Sequence, residues 1–306
     1  MNKLAITHSG LFHPDELTAI GIYEIATGET LDVVRTRDID KFSLADLVFD
    51  IGEKYDKEKY FDHHQEVGIP KYRNGILYST VGLILDNFLN NKKLIKYLLN
   101  NGLYAVQAID NGQKFFNLKD KTKEKVSNLP NPFSFVRKLN ATWEEGIFSN
   151  IQKKNFDNTR KVVKDILVNM VKHYEANEKA KEIISTTIHN YSHLKLDYII
   201  FDQYVPYEKE VIKFNDKHLI GEKNKNIIKF CIFKNEQDEW NVFAIQKNTI
   251  PGDFDAWCSL DKDKCEKLPG LKFCHKFAFC AVFDNKESAI KAVTECRRDF
   301  IPVQTS

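Results

Sequence analysis

The chain has 306 residues, 42% of them hydrophobic and 29% charged, and carries a formal net charge of +2 at pH 7. That length suits one large domain or two of ordinary size, two being the better expectation, and the balance excludes disordered and fibrous proteins. A charge so near zero gives no overall pull on nucleic acid or an anionic membrane, so an anionic substrate has to be attracted locally.

The first part alternates short β runs with helical segments, the pattern of an α/β fold with a parallel sheet flanked by helices. Leu4–Thr7 reads as a buried strand, and Asp15–Ala26 as a helix with Leu17, Ile20, Ile22 and Ile25 mainly inward. Leu31–Thr36 and Leu47–Phe49 supply two more strands, and Lys59–Phe61 a short fourth. Between Val81 and Ile109 apolar residues recur at helical spacing, while Asn100, Asn101 and Gly102 weaken the middle. This predicts two helices, the second ending at Ile109-Asp110-Asn111-Gly112. Lys119–Lys125 is a charged surface stretch, and Pro130 and Pro132 mark a turn region.

A long amphipathic helix is predicted from about Asn158 to Ile184, with Val162, Val163, Ile166, Leu167, Met170, Val171 and Tyr174 on one face. After His193 the pattern changes to strands: Tyr198–Phe201, Ile227–Phe233, and Trp240–Ile245 across a polar turn at 235–239. A helix at Lys286–Cys296 closes the chain, and the Lys-Asn tract at 222–226 reads as a solvated loop. The predicted organisation is a first domain over 1–193, with a helical linker at about 155–190, followed by a smaller α+β domain over 194–306.

No apolar run approaches a membrane span, so no membrane partner is expected. The opening residues have neither the apolar core of a secretory signal nor an Arg- and Ser-rich leader, which makes the cytoplasm the expected compartment. The six cysteines, Cys231, Cys258, Cys265, Cys274, Cys280 and Cys296, include no Cys-x-x-Cys pair. Reduced thiols are expected, in preference to a zinc site built from Cys258, Cys265, Cys274 and His275.

The informative feature is where His and Asp fall relative to the strands. His8 follows the first strand, His13-Pro14-Asp15 leads into the first helix, Asp50 ends the third strand, and Asp62-His63-His64 follows the fourth. In an open parallel sheet the carboxyl ends of the strands face one crevice, so these groups can converge although scattered in sequence. Asp110, at the end of a core-facing helix, could reach the same crevice. Singly, each has an ordinary role as a packed imidazole, helix cap or turn former. The conjunction is harder to explain that way, because four of the nine histidines lie within the first 64 residues, each near a strand end and an Asp. A mixed imidazole–carboxylate set suits manganese, cobalt or zinc better than calcium. A carboxylate such as Asp50 could bridge two ions, the arrangement that serves phosphoryl displacement.

The segments Thr7-His-Ser-Gly-Leu-Phe-His-Pro-Asp-Glu, Val34-Arg-Thr-Arg-Asp, Asp62-His-His-Gln and Ala108-Ile-Asp-Asn-Gly resemble the melanocyte-proliferating-gene (Myg) exonuclease family, a branch of the DHH phosphoesterase superfamily also labelled metal-dependent protein hydrolase. Phe135-Val-Arg-Lys-Leu-Asn-Ala-Thr-Trp and Gly270-Leu-Lys-Phe-Cys-His are similar to its later motifs, so the resemblance spans nearly the whole chain in order. It implies a DHH-type domain holding two divalent ions, manganese first, with magnesium, cobalt or zinc as alternatives, and a smaller domain that clamps substrate. Carried over by motif, His8, His13 and Asp50 would hold one ion, and Asp15, Asp50, His63 and Asp110 the other. His64 would serve the phosphate as donor or general acid, and Asp62 would orient a neighbouring imidazole. The implied activity is 3′–5′ hydrolysis of single-stranded RNA or short oligonucleotides.

Arg35 and Arg37, at the end of the second strand, are candidate phosphate contacts and by strand alternation should point the same way. Arg137 and His275 complete the candidate substrate contacts, and Trp143 or Tyr60 could stack on a base. The second domain departs from the family, since no glycine follows His275 in Lys-Phe-Ala-Phe-Cys-Ala-Val and Trp257 is followed by Cys-Ser-Leu-Asp-Lys-Asp where the family places an arginine soon after a Trp. Two competing expectations are a small-molecule phosphatase or pyrophosphatase on the same centre, and a metal-stabilised regulatory protein without turnover.

Overall fold

The computed structural model describes residues 2–65, 68–119, 122–194, 196–219, 227–247, 256 and 258–299. Two compact units divide the chain, 1–174 and 175–306. The tract at 222–226 and Trp257 lie outside the described residues.

In the first unit, strands β1 (Lys3–Thr7), β2 (Leu31–Arg35), β3 (Leu47–Phe49) and β4 (Tyr60–Phe61) form a parallel sheet in the order β2-β1-β3-β4. The short apolar runs give these strands two covered faces, as a parallel sheet requires. Helix α1 (Pro14–Thr27) connects β1 to β2 on one side, and the chain then crosses to β3 on the other side of β1. That reversal makes the carboxyl ends of β1 and β3 a topological switch point, the place where open parallel sheets leave a crevice.

Helix α2 (Thr80–Phe88) packs on α1. Helix α3 (Lys92–Leu98), capped by the Asn91 side chain accepting from the Lys93 and Leu94 amides at 3.1 Å, runs through a wide turn at Leu99–Leu103 into α4 (Tyr104–Asp110). The sequence weakness at Asn100–Gly102 is thus a kink between α3 and α4, where Asn101 and Gly102 leave helical geometry, and a further helix boundary falls earlier, at Leu89–Asn91. Gly102 sits at φ 146°, and a Cβ there would lie 2.6 Å from the Pro132 ring, so this turn needs glycine on both counts. The stretch around 119–125 includes a small hairpin, β5 (Phe115–Asn117) with β6 (Lys123–Lys125).

Helix α5 (Asn150–His193) has 44 residues and begins eight before the predicted start. Its first turn is polar, so periodicity does not announce it, but the Ser149 hydroxyl accepts from the Gln152 amide at 3.2 Å and starts the helix. Phe12, Leu17, Ile20, Phe49, Phe61 and Ile84 join Phe156 and Leu167 of α5 in the first core, each such buried side chain contributing about 1.5–3 kcal/mol. The same helix supplies Ala180, Ile184 and Ile188 to a core of the second unit.

The second unit holds β7 (Tyr198–Phe201), α6 (Glu208–Leu219), β8 (Phe230–Lys234), β9 (Trp240–Ala244), β10 (Cys258–Leu260), the single-turn α7 (Lys262–Cys265), β11 (Leu271–Cys274), β12 (Cys280–Phe283), α8 (Lys286–Glu295) and β13 (Arg297–Asp299). Its main sheet runs β11-β12-β9-β8-β7, antiparallel apart from β7 on β8. None of the six cysteines is in a disulfide, and among the described residues no cysteine joins a group able to hold an ion. No helix among them is long and apolar enough to cross a membrane.

Candidate metal centre

The carboxyl edge of the first sheet gathers the polar residues. β1 delivers His8 and β3 delivers Asp50, one on each side of the switch point. Asp50 adopts φ 56°, a left-handed conformation that few non-glycine residues take, and its amide donates to the Phe61 carbonyl at 3.0 Å. β4 ends immediately before Asp62-His63-His64. Helix α1 starts at the same edge, with His13 as N-cap, Pro14 fixing the first turn, and Asp15 and Glu16 near its positive end. Asp110 closes α4.

The ligand atoms of His8, His13, Glu16 and Asp50 lie within 4.8 Å of one another, and so do those of Asp15, Asp50, His63 and Asp110. Asp50 belongs to both groups, and also to a smaller one with His63 and His64. His8 Nε2 is 3.5 Å from Asp50 Oδ2 and 3.4 Å from Glu16 Oε1. His63 Nε2 is 2.9 Å from Asp110 Oδ2, 3.3 Å from Asp50 Oδ1 and 3.9 Å from Asp15 Oδ2. His13 Nδ1 stands 3.9 Å from Asp110 Oδ1. All six residues expected as metal ligands therefore meet in one place.

His8, Asp15, Glu16, Asp50 and His63 are buried, with His13 and Asp110 half-buried at the rim, and the burial has to be answered by charge. Burial and the charges of Asp110 and Asp50 push the Asp15 carboxyl well above the ordinary range, although the Thr80 and Val81 amides donate to it at 3.0 and 3.2 Å and the Ser79 hydroxyl also donates. For Asp50, burial opposes ionisation but His63 and His8 outweigh it and hold the carboxyl below the usual range. Burial likewise opposes the charge on the imidazoles, yet contact with Asp50 and Glu16 pushes His8 up to about 10, and contact with Asp110 and Asp50 pushes His63 up to about 11. Without another cation, the cluster recruits protons.

The donor set also fits a metal by its geometry. His63 Nε2 is buried and has no well-aligned hydrogen-bond partner despite the carboxylate oxygens around it, and Glu16 Oε2 is a second buried orphan. Such groups are costly unless something coordinates them. An imidazole surrounded by carboxylate oxygens approached off-axis is an arrangement a divalent ion would complete.

Asp62 and His64 form a distinct pair. His64 Nδ1 is 2.6 Å from Asp62 Oδ1, and that contact chiefly raises the His64 pKa. The other oxygen, Asp62 Oδ2, accepts from the Glu53 amide at 2.6 Å, which fixes the carboxylate. His64 is exposed while Asp62 and His63 are buried.

A cleft of about 340 Å³ opens over the site, lined by His8, His13, Asp50, His64, Arg37 and Arg137. Arg35 is elsewhere: its Nη2 donates to the Gly10 carbonyl at 2.8 Å and it lines a different cavity. The expected common direction of Arg35 and Arg37 fails because β2 ends at Arg35 and alternation stops with it. His275 sits between β11 and β12 of the second unit, where its ring packs 4.3 Å from Phe279 and its Nδ1 accepts from the Phe277 amide at 3.2 Å. Trp143 is 87% exposed, whereas Tyr60 packs beside Ile6 and Val48.

Sequence reasoning misses Glu16, whose Oε1 accepts from the His13 amide at 2.8 Å and hides the residue inside an ordinary helix-capping pattern. It also misses the clamp on the His8–His13 loop. The Asn140 side chain accepts from the Phe12 amide at 2.8 Å and donates to the Phe12 carbonyl at 2.9 Å, while buried Gln152 donates to the Gly10 carbonyl at 2.8 Å and to Asn140 at 2.6 Å. Partners 128 to 142 residues apart leave no local signal.

The family model MYG1_exonuc, described as an uncharacterised protein family (UPF0160), matches residues 4–296. The chain is 28% identical to the MYG1 protein of Chlamydia trachomatis over 306 residues, covering 94% of each. It is 24% identical to a MYG1 protein of Saccharomyces cerevisiae over 330 residues, again covering 94% of each. With the MYG1 exonuclease of Rattus norvegicus the identity is 23% over 327 residues, covering 93% of this chain and 82% of the rat protein. No solved structure matches. Since the family match runs from the first strand of the parallel sheet to the end of the last helix, the chain belongs to the MYG1 family.

Proposed function

We propose that this protein is a divalent-metal-dependent phosphoesterase that hydrolyses phosphodiester bonds, specifically a 3′–5′ exonuclease acting on single-stranded RNA or short oligonucleotides. The observation that carries the reading is Asp50, one buried carboxylate shared between two imidazole–carboxylate groups beneath a cleft that also holds Arg37 and Arg137. The exonuclease name of the rat relative supports nuclease activity, and the RNA substrate and the 3′–5′ polarity are what the resemblance to the Myg exonucleases implies. Asp62-His63-His64 after a parallel strand supports a place among the DHH phosphoesterases.

In this reading His8, His13 and Asp50, with Glu16 beside them, hold one ion, and Asp15, Asp50, His63 and Asp110 hold a second, manganese being the first choice. Bound there, the pair would acidify a water and stabilise charge developing on the phosphate. Arg37 and Arg137 bind the phosphate oxygens and orient the diester. Asp62 keeps a proton on the exposed His64 ring, which delivers it to the leaving oxygen. The Ser79 and Thr80 end of α2 fixes the Asp15 carboxylate, and the Asn140–Gln152 clamp fixes the loop of His8 and His13.

The test is manganese-loaded protein with single-stranded RNA labelled at its 5′ end. Progressive shortening from the 3′ end is the expected result, with two ions per chain by metal analysis. Intact RNA overturns the reading, and phosphate released from pyrophosphate with the RNA untouched replaces it with the small-molecule alternative.

A further inference from the structure

Helix α4 ends in Asp110, a member of the second ligand group, and α2 begins beside the Asp15 carboxylate, which accepts from the Thr80 and Val81 amides. Between these two helix ends lie three carboxamide side chains that belong to neither ligand group. Asn111 donates to the Gln107 carbonyl at 2.9 Å and to the Tyr78 carbonyl at 3.1 Å. Gln113 accepts from the Leu77 amide at 2.8 Å and donates to the Gly75 carbonyl at 3.1 Å. Gln107, fully buried, accepts from the Ser79 amide at 3.4 Å. The C-terminal end of α4 is thereby fastened to the backbone of 75–79, the segment that leads into α2.

The approach is close. A Cβ built on Gly82 would lie 2.4 Å from Gln107 Oε1, so the first turn of α2 keeps a glycine where this carboxamide passes. The fastening also has a force to oppose, because Asp15 and Asp110 are like charges brought within one ligand group, and left to themselves they would move apart. Neutral carboxamides bonded to backbone fix that separation without adding a charge of their own. His8 and His13 depend on other contacts, since the loop that carries them is held by Asn140 and Gln152.

We propose that Gln107, Asn111 and Gln113 are positioning residues that hold Asp110 against Asp15 and so set the affinity of the Asp15–Asp50–His63–Asp110 ion alone. The inference rests on the two-metal reading and adds that the two ions have separate supports, so that one is loosened while the other stays.

Manganese binding to the full chain, followed by the electron paramagnetic resonance signal of the free ion, tests this in two backgrounds. His13→Ala removes a ligand of the first group only, and Asp110→Asn a ligand of the second only. Added to His13→Ala, Asn111→Ala is expected to weaken the remaining ion about tenfold, the usual size when a group that orients a metal ligand is lost. Added to Asp110→Asn, it is expected to leave the remaining ion within about twofold. Gln113→Ala, at a half-buried position, is expected to give the same split and carries the test if circular dichroism shows that Asn111→Ala does not fold. Val126→Ala thins the apolar packing around Ile76 and Ala108 and removes no hydrogen-bonding group, so it is expected to lower Tm and leave both affinities in place. Equal weakening in both backgrounds, no weakening in either, or the same split from Val126→Ala overturns the proposal. Unsubstituted protein that binds no manganese sinks the two-metal reading itself, whereas two ions per chain without the split removes the positioning role and leaves that reading standing.

Discussion

At the carboxyl edge of the four-stranded sheet the first unit buries His8, Asp15, Glu16, Asp50, Asp62 and His63, whereas the five-stranded sheet of the second unit buries Phe230, Cys231, Ile232, Val242, Ala281 and Phe283. Both regions are shielded from water, but they answer for it differently. In the second unit burial simply raises the Cys231 thiol well above its ordinary pKa and keeps it neutral, as an inert structural thiol should be. In the first, carboxylates are held against one another and against imidazoles, and the unpartnered atoms include those of ionisable groups, His63 Nε2 and Glu16 Oε2, where the second sheet leaves the neutral Asn241 amide nitrogen. The difference teaches that packing accounts for the second sheet, while the edge of the first requires a positive partner.

Substitutions can break that comparison. Asp50→Asn removes the carboxylate common to both groups, and RNA hydrolysis should fall on the order of a thousandfold, with loss of bound manganese. Full metal occupancy in the purified variant would break the claim that Asp50 is shared. If the ring serves the substrate as proposed, His64→Ala should keep its metal yet lose about a hundredfold in kcat; unchanged turnover would remove it from the chemistry. Asn140→Ala, which frees the Phe12 backbone, should weaken metal affinity about tenfold in a titration without unfolding the chain.

The pH response sharpens the contrast. His8 and His63, held at about 10 and about 11 against an ordinary 6.5, stabilise the metal-free fold fully below the ordinary value and lose that contribution as pH rises through the raised ones. The Tm of chelator-treated protein should therefore drop more steeply toward alkaline pH than that of manganese-loaded protein, and superimposable curves would contradict the site. The smallest effect is expected in the second unit, where Cys231→Ser places a hydroxyl among apolar groups and costs about 1–3 kcal/mol in denaturant melts. Metal content should not change.

How much of this was readable depended on where the determining contacts lie. Leu4–Thr7, Leu47–Phe49 and the helix after His13 were legible because a parallel sheet leaves continuous apolar runs and chain order alone implies a common carboxyl edge. The convergence of His8, Asp50 and His63 followed from that geometry. Glu16 escaped because its capping bond gives it a sufficient local reason to exist. The early start of α5 escaped because Asn150–Asn155 is polar on most sides, and Asn140 and Gln152 because their partners are remote in sequence. The divergence of Arg35 and Arg37 depended on a strand ending two residues sooner than a shared direction required.

Helix α5 gives its residues to two hydrophobic interiors in succession, Phe156, Val163 and Leu167 to one and Ala180, Ile184 and Ile188 to the other. The division of the chain accordingly falls inside a helix. A protease or an engineer cutting within it would interrupt a hydrogen-bonded ladder at the junction and leave both fragments with a frayed end, so the pair should be expressed, purified and inherited as a single piece.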